Sequence, residues 1–300
     1  MIAERIQELK QALPAGVTLV AVSKFHPVEA LREAYEAGQR VFGESRAQEL
    51  VAKQKQLPTD IEWHFIGPLQ SNKVKEIVPF ISLIHSVDSL KLLQEIEKQA
   101  AKHNRIVDVL LEIHVAEEVT KHGLTPEACR ELLASEAMAQ LTHVRVCGLM
   151  GMATNTDDEE LVRKEFHQMR LLFDELKGGL CQANPAFTQL SMGMSHDYPL
   201  AVAEGSTLVR VGTYISGERE FCLLNHGDWR DKPRPSLYET TGNGIQSDGQ
   251  RNLSARATKF RAMSNENYTN TRIYSPQSWH IYFIIYPCVI YNTSVRIRPT

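Results

Sequence analysis

Between Val17 and Gly212, eight short apolar runs rich in Val, Ile and Leu alternate with longer stretches of helical period. That rhythm restricts the chain to a parallel sheet wrapped by helices. The runs are Val17 to Ser23, Arg40 to Gly43, Glu62 to Ile66, Leu83 to Val87, Val107 to Val115, Val144 to Met150, Phe187 to Met192, and Leu208 to Val211. Helical stretches follow seven of them, starting near Pro27, Glu44, Ser71, Ser89, Thr125, Asp157 and Tyr198. Several open on the Ser, Thr, Asp or Pro suited to a helix N-terminus. Eight strand-helix units argue for closure, so the expected class is α/β, a single (β/α)8 barrel of TIM type over residues 1–221. About 210 residues is low in the barrel size range, which keeps an open Rossmann sheet as the alternative. No nucleotide-type Gly-x-Gly-x-x-Gly follows the first strand.

The rhythm stops after Phe221. Residues 222–300 hold ten Lys or Arg against five Asp or Glu, a balance of +5, which leaves −8 on residues 1–221 out of −3 for the whole chain. This part mixes Asn, Ser, Thr, Arg and scattered aromatics without helical or strand period. Its one apolar stretch, His280 to Tyr291, is too short to span a bilayer. We read it as an irregular tail, disordered or a non-native extension, with a small interaction domain as the alternative. With a pI near 6.4, no basic face is expected, and nucleic acid is not an expected partner. Five cysteines without Cys-x-x-Cys spacing suggest neither a disulfide framework nor a zinc knuckle. Met1 to Leu13 reads as a charged amphipathic helix and not a signal peptide, so a cytoplasmic protein without a membrane span is expected.

In a βα barrel, reactive groups collect at the C-terminal strand ends, where the following loops form the mouth. The first strand ends Ala21-Val22-Ser23-Lys24, which puts an amine at the rim of an apolar interior. Desolvation there favours the neutral nucleophile that imine formation requires. Alone, such a lysine is ordinarily a solvated loop residue. The last two strands end in Ser191-Met192-Gly193-Met194-Ser195 and Arg210-Val211-Gly212-Thr213, where hydroxyls accompany glycines that let backbone N–H groups approach an anion. Either cluster alone reads as turn chemistry. Barrels of this type recurrently bind phosphate after strands seven and eight, and closure sets strand eight beside strand one. Lys24 then neighbours a phosphate cup. A ligand with a phosphate at one end and an aldehyde near the other satisfies both features, and pyridoxal 5'-phosphate (PLP) is the cofactor of that description.

These residues resemble the YggS/PROSC-type pyridoxal phosphate homeostasis family, which shares the barrel of the alanine racemase N-terminal domain. The resemblance covers residues 1 to about 221 and rests on Ala21-Val22-Ser23-Lys24, Phe42-Gly43-Glu44, the run His64-Phe65-Ile66-Gly67-Pro68-Leu69-Gln70-Ser71-Asn72-Lys73, His85-Ser86-Val87-Asp88, Gly148-Leu149-Met150, and the two cup segments with Gly205-Ser206-Thr207. It implies that Lys24 carries PLP, that Ser191, Gly212 and Thr213 hold the phosphate, and that Arg210 lies near the pyridine nitrogen. A fixed cation there keeps that nitrogen unprotonated and weakens the ring as an electron sink. Ser45-Arg46 stand where the family usually has Asn-Tyr, and Ser216 where it has Phe. Ser45 still offers a hydroxyl to the ring substituents, but from a shorter side chain. The family pattern ends soon after Gly217-Glu218-Arg219, so nothing in it extends to residues 222–300.

His64, at the third strand's end, is a candidate acid, base or orienting group. Lys121, in Thr120-Lys121-His122-Gly123, resembles a family Ser-Lys-x-Gly segment and is a candidate second imine site. Asp157-Asp158-Glu159-Glu160 suits a helix N-terminus better than a metal. Met150, Met152, Met192 and Met194 flank strand ends and suit soft packing. The cofactor-binding set is thus Lys24, Ser45, His64, Ser191, Met194, Ser195, Arg210, Gly212 and Thr213, with no catalytic base and no metal ligand assigned. Racemisation needs bases on both faces of the cofactor, and Lys24 supplies one. The expected function is PLP homeostasis: a carrier, monomeric or weakly dimeric, that holds PLP and releases it to apo-enzymes. A weak or narrow amino-acid racemase is the alternative. A phosphosugar aldolase would normally carry its lysine on a later strand.

Overall fold

The computed structural model describes residues 1–115 and 123–217, together with the backbone of 281–286 and 289–294. All eight apolar runs form strands: β1 (Thr18–Val22), β2 (Val41–Glu44), β3 (Glu62–Phe65), β4 (Leu83–Val87), β5 (Val107–Ile113), β6 (Val144–Gly151), β7 (Gln189–Ser191) and β8 (Leu208–Val211). They pair in sequence order, all parallel, and close where β1 meets β8 through the register Thr18↔Leu208 to Ala21↔Val211. That closure excludes the open Rossmann sheet.

Helices α1 (Ile2–Ala12), α2 (Val28–Glu36), α3 (Ala47–Gln54), α4 (Ser71–Ile77), α5 (Leu90–Lys102), α6 (Pro126–Ala134), α7 (Glu136–Ala139), α8 (Glu159–Gly178), α9 (Tyr198–Ala203) and α10 (Thr213–Ser216) complete the barrel. Their starts follow local chemistry. Ser89 and Thr125 accept the N–H groups of Leu92 and Ala128, and Asp158 accepts those of Glu160 and Leu161. The acidic run at 157–160 therefore serves a helix end, as its position suggests. Helices α7 and α10 were not anticipated, because a single turn is too short to show a period.

Side chains alternate across each strand, and this sorts the core into two parts. One apolar cluster, with Phe42, Phe65, Ile96, Leu149 and Phe166 among its members, lies between strands and helices. A smaller one, Val20, Leu83, Leu110, Cys147, Met150 and Leu208, fills the barrel interior. Two residues further along the same strands, on the same face, the interior turns polar. His85 follows Leu83, Glu112 follows Leu110 and Arg210 follows Leu208, all buried. The floor of the mouth is therefore polar and buried. At β6 the register shifts between Val109 and Leu110 of β5, beside Gly148, whose φ of +153° and contact with β7 leave no room for a side chain.

This barrel lies in the first of two compact units, Met1–Arg230. The second, Asp231–Thr300, contains an antiparallel pair, β9 (Ile281–Tyr286) and β10 (Val289–Ser294), within the stretch that shows only one apolar run in the sequence.

Candidate functional site

The mouth of the barrel is built on the seam between β8 and β1. Register at the seam places Val211 opposite Ala21, and Gly212 beyond it packs against Val22. A Cβ added at Gly212 would lie 3.1 Å from Val22 Cβ and 3.4 Å from its carbonyl oxygen. A side chain there would require Val22 to give way, so glycine suits this close approach of the two strand ends. The β7 and β8 loops are laced together by Gly212 N–H donating to Ser195 Oγ at 3.1 Å. Met194 N–H donates to Asp197 Oδ1 at 2.5 Å, and Met194 O accepts from the N–H groups of Asp197 and Tyr198, which sets the β7 loop before α9. Thr213 opens α10 and closes its turn by accepting from Gly217 N–H. Ser195 and Gly212 thus join the ends of β7 and β8 at the position of the expected cup, with Thr213 next in the chain and Gly193 at φ +95° in the β7 loop.

Below the cup runs a buried polar chain. Arg210 Nη1 donates to Ser191 Oγ at 2.6 Å and Nη2 to Gly151 O at 3.0 Å. Ser191 Oγ lies 3.0 Å from His85 Nδ1, and His85 Nε2 lies 3.0 Å from His64 Nδ1. A guanidinium can only donate, so Ser191 accepts there, which leaves its single proton available to His85 Nδ1. We accordingly assign His85 the Nε2–H tautomer, donating to His64 Nδ1, which leaves the His64 proton on Nε2. Burial holds both rings neutral: the His64 pKa falls to about 3, and that of His85 lies well below its usual value, lowered further by His64 and Arg210. Burial also lowers Arg210, to about 10, against the attraction of Asp197 and Glu112. It remains a cation.

Of the expected set, the structure brings His64, Ser191 and Arg210 into one hydrogen-bonded chain through His85 and joins Ser195 to Gly212, which Thr213 follows. Ser191 belongs to the chain below the cup, where its hydroxyl serves Arg210 and His85. Half-buried Ser45 sits where the β2 loop passes Gly67; a Cβ on Gly67 would meet Ser45 O at 2.5 Å. Arg46 lies over the Phe25 ring, 4.4 Å from its centroid, and Lys24 is half-buried in the turn before it. Lys121 falls outside the described residues. Sequence reasoning assigned no role to His85 or Glu112, although their spacing of two from Leu83 and Leu110 was a readable signal. Among the described residues, no group of His, Cys, Asp or Glu is placed to hold a metal, and no helix is long and apolar enough to cross a membrane.

A closed parallel barrel with a lysine just after its first strand defines a class, and comparison with known proteins names it. Residues 1–220 match the family model described as alanine racemase, N-terminal domain, and the chain belongs to that family. Within it, the chain is 44% identical over 222 residues to a pyridoxal phosphate homeostasis protein of Aquifex aeolicus, covering 73% of this chain and 95% of that one. It is 40% identical to the protein of the same name from Pseudomonas aeruginosa, covering 73% and 94%. Among solved structures, PipY of Synechococcus elongatus with PLP bound is 42% identical with a TM-score of 0.63, covering 72% of this chain and 99% of PipY. A D-threonine aldolase from Filomicrobium marinum, 14% identical with a TM-score of 0.59, shares the fold.

Proposed function

We propose that the protein binds PLP through a Schiff base on Lys24, keeps it out of free solution, and releases it to apo-enzymes in the cytoplasm. The observation that supports this reading is the β1–β8 seam, where Gly212 packs against Val22, two residues before Lys24. The residues present fit the cofactor. Ser195 brings a hydroxyl to Gly212 N–H at the end of β8, where Gly212 packs closely against Val22 of β1. PLP supplies an aldehyde for the amine, a phosphate for the cup and an aromatic ring that withdraws electrons when its nitrogen is protonated. Arg210, buried and still cationic, opposes protonation of a nitrogen beside it. The neutral His64–His85 pair keeps Arg210 oriented and, at neutral pH, does not supply a strong base. Names of the relatives, and the PLP bound to PipY, support the same assignment. Residues 1–221 suffice for it, as relatives matched almost end to end suggest. A monomer or weak dimer accords with a site built within one barrel.

Full-length protein incubated with PLP and freed of excess cofactor should keep a visible imine band that Lys24→Ala removes. A band of equal strength in Lys24→Ala, or no retention by the wild-type protein, would overturn the assignment. Timed transfer to an apo-enzyme separates carrier from sink: transfer faster than free release supports delivery. Chiral analysis of alanine and serine after incubation addresses catalysis, and rapid racemisation would displace the carrier reading.

A further inference from the structure

Lys53 lies on α3, off the strand ends, yet its side chain is almost fully buried and its ammonium is saturated. Nζ donates to Ser23 O, Glu44 Oε1 and Glu49 Oε1, each at 2.7 Å, which uses all three of its N–H bonds. The partners converge on one turn. Ser23 also donates its hydroxyl to Glu44 Oε1 at 2.7 Å, and Phe25 N–H donates to Glu49 Oε1 at 2.6 Å. The residue before Lys24 and the residue after it are therefore gripped by the same ion cluster. Phe25 holds φ +68°, a left-handed conformation that a bulky residue keeps only where its surroundings over-determine it.

A plain structural ion pair is a poor account of this cluster. Burying two carboxylates and an ammonium costs desolvation that their attraction often fails to recover, and an apolar trio of similar volume is frequently as stable. Glu44 shows the cost: burial raises its carboxyl above the usual range, and its Oε2 is buried without a hydrogen-bond partner. What apolar replacements could not do is accept Phe25 N–H and donate to Ser23 O at once.

We propose that Lys53, Glu44 and Glu49 form a positioning clamp that fixes the direction in which Lys24 presents its amine to PLP. The clamp rests on the PLP reading for its purpose; its geometry stands on the contacts alone. None of the three is a catalytic residue. They act through the backbone on either side of Lys24.

The test uses full-length Glu49→Ala and Glu49→Gln, since Glu49 is only partly buried and its loss should leave the barrel folded. Glu49→Ala should speed exchange of the Phe25 amide and slow borohydride-trapped coupling of PLP to Lys24 roughly tenfold, the usual effect of losing a hydrogen bond to a charged group. Glu49→Gln keeps an acceptor oxygen for Phe25 N–H and should recover most of that rate. Coupling by Glu49→Ala at the wild-type rate, or equal slowing in both variants, would refute the clamp. Acetic anhydride labelling of Lys24 without PLP gives a second reading: Glu49→Ala should shift its pH profile, and an unchanged profile overturns the clamp whether or not PLP binds. A wild-type protein that never retains PLP sinks the functional reading separately. Lys53→Met, if it folds, should match Glu49→Ala, and an unperturbed Lys53→Met would also refute the proposal.

Discussion

Acidification offers a quantitative test of the buried polar chain. His64 and His85 are neutral in the fold because burial excludes the charged form, but in the unfolded chain each ring takes up a proton near pH 6.5. Their folded pKa values are depressed, so the stability they permit is present above pH 6.5 and is lost as pH falls towards the folded values. At pH 5 the His64 value of about 3 is still well below ambient. The loss between pH 7 and pH 5 then depends almost wholly on the unfolded value and comes to about 2 kcal/mol per ring. Both rings together cost about 4 kcal/mol, a large part of the 5–15 kcal/mol typical of a folded domain. Urea unfolding followed from pH 7.5 to pH 5 reads this directly. Over that window wild-type stability should fall by about 2 kcal/mol more than that of His64→Gln or His85→Gln. Contributions of the other histidines cancel in the comparison. Equal slopes in wild type and both variants would show that the rings titrate freely in the fold, and the assigned relay would be wrong.

Three further outcomes are expected. Gly148→Ala puts a Cβ 1.7 Å from Gln189 O and should cost about 3 kcal/mol or more, lowering the melting temperature by about 10 °C, whereas Gly178→Ala, with nothing within 4 Å, should leave it unchanged or slightly raised. Gly212→Val should push the β8 end off Val22 and weaken PLP retention at least about tenfold in equilibrium dialysis, with ring-free phosphate compounds affected alike. Ser191→Ala leaves the Arg210 Nη1 donor and His85 Nδ1 without their shared partner, and chemical denaturation should register a loss of about 2 kcal/mol.

Strand number, order and closure were legible because each run is bounded by turn chemistry and followed by a helical period, and parallel barrels admit few other arrangements of such units. Lys24 and the cup could be proposed for a related reason: that reading depended only on which strands adjoin, and the β1–β8 pairing agrees with it. What stayed hidden was pairwise. Lys53 sits on an otherwise ordinary helical stretch, where a lysine four residues after Glu49 reads as a solvated i, i+4 pair. Nothing local says that this side chain turns inward to Ser23. His85 and Glu112 were hidden differently, since a buried polar residue on an inward face looks like an interruption of a strand until its neighbours from other strands are known. Ser191 illustrates the remaining gap: hydroxyls near glycines suggest an anion site, but the three-dimensional arrangement ties this hydroxyl to Arg210.

The seam between β1 and β8 bears on when the protein becomes competent. Lys24 is among the first parts of the barrel to be synthesised, and Arg210 and Gly212 among the last. Contacts so distant in sequence close late and set the pace of folding for the barrel as a whole. On the proposed PLP reading, a growing chain that already exposes Lys24 has an amine but no cup, and would grip a phosphorylated aldehyde only once the eighth strand docks. Capture of the ligand and completion of the fold would then be one event, and ligand retention would report barrel closure.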